Sequence, residues 1–184
     1  QGPDIFDSVV TILKDNFEPN FITNIKYSAH DMLLSNAHLN VTGSFNKNDY
    51  SKINSVITFK VEGEKIYAVV TANENRIKCS DEYSEEVVRT KSIISNSNIT
   101  FYNISDSSLT EIIVSMNKFY LQKTVTDNGK WIVTKFEYNK LLNLDDIRNK
   151  KIQLKLTNNF NNKLTKSTIL LEDKEIGFLY FSLI

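Results

Sequence analysis

The side chains best suited to chemistry are few and scattered. His30 and His38 are the only two histidines of the 184 residues, and Cys79 is the only cysteine. A metal pair needs a spacing of two on a strand, or three or four on a helix. The interval from His30 to His38 fits neither, and in extended chain it spans roughly 26 Å. One thiol and two imidazoles build no structural zinc site, and one thiol forms no intramolecular disulfide. A Cys79 dyad with either histidine would need oxyanion donors and an orienting group, and no Gly-rich segment flanks Cys79. Glu85-Glu86 and Asp145-Asp146 are adjacent carboxylates. On a helix such neighbours diverge by about 100°, so they suit the positive end of the helix dipole better than one shared ion. No catalytic set assembles from these residues. The expectation is a chain that is not an enzyme and takes no cofactor and no metal.

Charge is the clearest asymmetry. The chain balances 22 Lys and Arg against 22 Asp and Glu. Residues 118–166 carry 11 basic against 4 acidic side chains, net +7, while residues 1–117 carry 10 against 15. Aromatic residues Phe119, Tyr120, Trp131, Phe136, Tyr138 and Phe160 interleave with these cations, a pairing that single-stranded nucleic acid can use. The candidate binding surface read from this segment is Lys118, Lys123, Lys130, Trp131, Lys135, Lys140, Arg148, Lys150, Lys151 and Lys155. Lysines coating the solvent face of a sheet would give the same pattern.

The elements that must position these residues follow from periodicity. Asp4 to Phe17 reads as a helix, with Ile5, Val9, Ile12 and Leu13 on one face and Pro19 ending it. Strands are expected at Phe21–Tyr27, Ala37–Phe45, Val56–Val61 and Ile66–Ala72, the last two joined by Glu62-Gly63-Glu64-Lys65. Asp81 to Ile94 reads as a helix capped by Ser84. Ser108 to Met116 carries a capping box, Ser108-x-x-Glu111, and is taken as a helix. A hairpin is expected over Phe119–Thr126 and Lys130–Tyr138, because Asn128-Gly129 suits a type I′ turn. Asn143 to Asn149 reads as a short helical connection. Lys151 to Thr157 alternates as a strand, Asn158 to Lys163 reads as a polar loop, and Thr168–Leu171 pairs with Ile176–Ile184 around Glu172–Glu175. The fold class is α+β: a mainly antiparallel sheet with several hairpins and two to four helices packed on it.

An apolar share of 41% with 11% aromatic residues marks a globular chain and excludes a disordered one. Gln1-Gly2-Pro3 reads as the remnant of a cleavable tag, and residues 4–184 as one domain with a weak sub-boundary near 139–151. The abundant Asn fits an AT-rich genome. No apolar stretch reaches the length of a membrane helix, so no membrane insertion is expected. A single Cys and no visible signal peptide favour an intracellular, reducing compartment.

Free sheet edges, the apolar last strand and the missing catalytic set point to a non-catalytic protein-interaction domain, a scaffold or adaptor with a protein partner. Nucleic-acid binding through residues 118–166 is the alternative. A helix followed by strands over residues 4–72 resembles the opening of an NTF2-like fold. That resemblance implies a ligand-binding or assembly domain as a third reading.

Overall fold

A computed structural model describes residues 2–76, 85–103, 106–126 and 128–184. Cys79 and the expected Ser84 cap lie outside the described residues. The chain forms two compact units, residues 1–82 with 137–141, and residues 83–136 with 142–184.

The first unit opens with α1 (Gly2–Asn16), which buries Phe6, Val9, Val10 and Leu13; of the face expected from sequence, Ile5 is only half-buried and Ile12 is 45% exposed, so the buried stripe is rotated toward Phe6 and Val10. Four antiparallel strands follow: β1 (Ile22–Ala29), β2 (Ser35–Thr42), β3 (Ser55–Val61) and β4 (Glu64–Arg76). Asn24 has φ +50° and sits where the β1–β3 register slips, between Thr23 and Lys26. That bulge turns Ile22, Ile25 and Tyr27 all toward the core. The β3–β4 turn places Glu62 and Gly63 at positive φ, the geometry of a type I′ turn. Phe6 meets Tyr27 edge-on at 6.4 Å, and Phe17 meets Phe59 at 6.0 Å.

The second unit contains α2 (Glu85–Lys91), β5 (Ile93–Ser95), β6 (Asn98–Tyr102) and α3 (Leu109–Thr124). It continues with β7 (Trp131–Lys140), α4 (Leu144–Ile147), β8 (Lys151–Phe160), β9 (Leu164–Leu171) and β10 (Lys174–Leu183). Residues 137–141, at the end of β7, group with the first unit. Among the described residues the strand order is β2-β4-β3-β1 in the first unit and β7-β10-β9-β8-β6-β5 in the second. The protein is therefore an α+β fold, antiparallel in its sheet and with four α-helices among the described residues, as its sequence predicts.

Three local expectations are corrected. The segment Phe119–Thr126 is not a strand of a hairpin. Instead α3 runs on to Thr124, because Ile113, Met116, Asn117, Tyr120 and Leu121 continue one buried helical stripe. Asn128-Gly129 then leads from α3 into β7. Gly129 has φ +94°, and a Cβ there would lie 2.8 Å from the Ile184 carbonyl oxygen, so only glycine fits. Ile93 and Ile94 belong to β5 and not to the preceding helix. The Ser92 amide and hydroxyl both donate to the Val88 carbonyl where that helix closes. Residues 158–160 are strand, not loop. The turn is Asn161-Asn162, with φ +51° and +56°, closed by the Lys163 amide on the Phe160 carbonyl at 3.0 Å.

Candidate functional site

Several of the basic residues singled out by sequence are held by neighbouring side chains. Lys118 donates to both carboxylate oxygens of Glu85, at 2.9 and 3.1 Å. Arg148 pairs with Asp106 at 2.9 Å and Lys151 with Asp173 at 2.6 Å. The Asp173 carboxylate accordingly raises the Lys151 pKa. Trp131 is 2% exposed, and its indole N–H donates to the Thr126 carbonyl at 3.1 Å. It is a core residue of the second unit. Lys123 lies in the last turn of α3, Lys130 just before β7, Lys140 at the end of β7 and Lys150 before β8. Lys135 lies 5.0 Å from the ring centroid of Tyr180, and Lys155 is exposed on β8. His30 and His38 are both exposed. Asp146 accepts from the Asn143 amide at 2.8 Å, the capping role that its place in a first turn implies.

A different set draws together inside the second unit. β9 turns Thr165, Ser167 and Ile169 to one face, and all three are fully buried. Ser167 lies opposite Leu156 of β8 and Leu179 of β10, and Thr165 lies opposite Phe181. Leu179 and Phe181 are buried as well. Two hydroxyls therefore stand in an apolar row. The Ser167 hydroxyl donates to Asn117 Oδ1 of α3 at 2.9 Å. Asn117 is itself fully buried, between Met116 and Tyr120 along the helix.

Among the described residues, the Asn117 Nδ2 and Thr165 Oγ1 atoms have no hydrogen-bond partner. Leaving a buried donor unsatisfied costs about 1–3 kcal/mol, so two such donors, on α3 and on the β9 face that α3 meets through Ser167, are a sizeable expense in stability. The chemistry of the set is specific. An amide N–H₂ and a hydroxyl donate toward an oxygen, while the carbonyl half of the same amide is already held by Ser167. The set contains no titratable group. Ser115 is also buried without a partner, but two positions along a helix are about 200° apart, so it points away from Asn117.

The other buried asparagines differ. Asn54 donates from Nδ2 to the Met32 carbonyl at 3.0 Å and accepts from the Ala72 amide at 2.8 Å. Asn103 donates to the Ile147 carbonyl at 3.3 Å. Sequence reasoning passed over Asn117, Thr165 and Ser167. They are far apart in the chain, and the one available signal is a polar residue on the buried stripe of a helix.

No family model and no curated protein matches the chain. Its structure is similar to that of an acyl-CoA thioesterase II from Mycobacterium marinum, with a TM-score of 0.44 and 7% identity, covering 94% of this chain and 84% of that one. The expected non-catalytic protein-interaction domain does not stand beside that finding, since the similar structure belongs to an enzyme. No helix among the described residues is long and apolar enough to cross a membrane.

Proposed function

We propose that the second unit binds an apolar molecule ending in a carbonyl or carboxyl oxygen, which accepts from Asn117 Nδ2 and Thr165 Oγ1. The observation that carries this reading is the pair of unpartnered, fully buried donors on the helix-facing side of β9. Leu156, Leu179 and Phe181 suit an alkyl chain, and the two donors suit its oxygen. Such a site gains most of its affinity from apolar burial and its orientation from a few polar groups.

The test is a titration followed by amide chemical shifts, with decanoic acid, a decanoyl thioester and decane. The two oxygen-bearing probes are expected to saturate and to move resonances in residues 113–121 and 165–169. Decane should bind at least tenfold more weakly, since it forgoes two hydrogen bonds worth about 1 kcal/mol each, and about 1.4 kcal/mol is a factor of ten. Thr165→Val should weaken the oxygen-bearing probes selectively. Equal binding of all three probes, or an unaltered affinity in Thr165→Val, would overturn the reading.

A further inference from the structure

Among the described residues the strand order ends on β2 in the first unit and on β5 in the second. Sheet edges invite pairing, and proteins blunt them with charge, proline or shortness. β5 is blunted by its length of three residues. β2 is not blunted: eight residues, Ser-Asn-Ala-His-Leu-Asn-Val-Thr, carry no Lys, Arg, Asp, Glu or Pro. Among the described residues it pairs only with β4.

The two faces of β2 differ. Ala37, Leu39 and Val41 lie opposite Ala72, Val70 and Ala68 of β4 and so extend that apolar row. Ala68 and Val70 are buried, yet Val41 remains 40% exposed. On the other face, His38, Asn40 and Thr42 lie opposite Thr71, Val69 and Tyr67. Just before the strand, Met32 and Leu34 are 54% and 72% exposed.

We propose that β2 pairs antiparallel with β2 of a second copy of this chain, centred on Leu39. A two-fold axis through Leu39 puts Leu39 against Leu39 and Ala37 against Val41 on one face. It puts His38 against Asn40 and Asn36 against Thr42 on the other. Apolar thus meets apolar and polar meets polar, and an uncharged strand meets no repulsion from itself. Charged or proline-bearing partners have nothing to match on this edge. The pairing is independent of the polar cluster in the second unit.

Sedimentation equilibrium over roughly 10–500 μM tests the proposal, since an edge contact buries less than the standard ~800 Å² per partner and is expected to be weak. The wild-type mass should rise toward that of a dimer. His38→Lys combined with Asn40→Lys places like charges opposite each other and should hold the protein monomeric. His38→Asp combined with Asn40→Lys creates two opposite-charge pairs and should tighten association. Both positions are exposed, so the melting temperature serves as a control for folding. Leu39→Cys should cross-link to itself under mild oxidation, because directly opposite Cα atoms lie within disulfide reach. A wild type monomeric throughout, a dimer surviving the lysine pair, or an Asp/Lys pair that weakens association would each overturn the proposal.

Discussion

Asn54 and Asn117 are buried alike, and the difference between them is what each side chain bonds. Asn54 uses both ends of its amide to fix the segment after β1 to β4, whereas Asn117 leaves its donor end open. Tyr27 shows burial acting on a titratable group. Desolvation pushes its hydroxyl up to about 12, and the negative charge of Asp4 reinforces the rise. The folded state therefore keeps this proton while the unfolded chain loses it near pH 10. Stability should be constant with respect to Tyr27 below pH 10 and fall between about pH 10 and 12, by roughly 2–3 kcal/mol. Comparing urea midpoints of wild type and Tyr27→Phe over that range checks it: the variant should lack this part of the fall. At this scale the sequence was poorly legible. It shows that Asn117, Thr165 and Ser167 are polar, but their meeting depends on how α3 lies on β9.

Among the elements, those with strong local signals were read well. The capping box at Ser108 is formed, with the Glu111 amide donating to the Ser108 hydroxyl at 3.1 Å and the Ser108 amide donating to Glu111 Oε2 at 2.8 Å. Ser108→Ala should cost about 1 kcal/mol in global stability, read from the denaturant midpoint with an unchanged slope. The misread elements had competing signals. Phe119, Tyr120 and Leu121 favour strands by residue type, but the period set by Ile113 and Met116 wins because the buried stripe continues through them. Asn158 to Lys163 reads as a polar loop, yet the turn is confined to Asn161 and Asn162, which both hold the left-handed conformation that asparagine tolerates best after glycine. The C-terminal turn was placed correctly, with Glu172 and Asp173 at positive φ.

At the scale of the molecule, β10 is the strand on which the second unit most depends. It lies between β7 and β9, buries Gly177, Leu179 and Phe181, and ends where Ile184 exchanges two backbone hydrogen bonds with Lys130. Removing residues 176–184 would expose the inner row of β9 and should leave the protein insoluble or without a cooperative unfolding transition. A soluble truncation with a sharp transition would show that β10 is dispensable. The α+β class and the antiparallel order of most hairpins were legible because alternation and turn residues are local signals. The polar cluster was not, since it arises from contacts between distant segments. The central claim is that Asn117 and Thr165 keep donors free for a ligand at the expense of stability. Urea denaturation of Thr165→Val without ligand tests it most directly. Removing an unsatisfied buried hydroxyl in an isosteric exchange should raise the unfolding free energy by about 1–3 kcal/mol. A fall of similar size would mean that the hydroxyl is already satisfied in the folded protein, and would contradict the account.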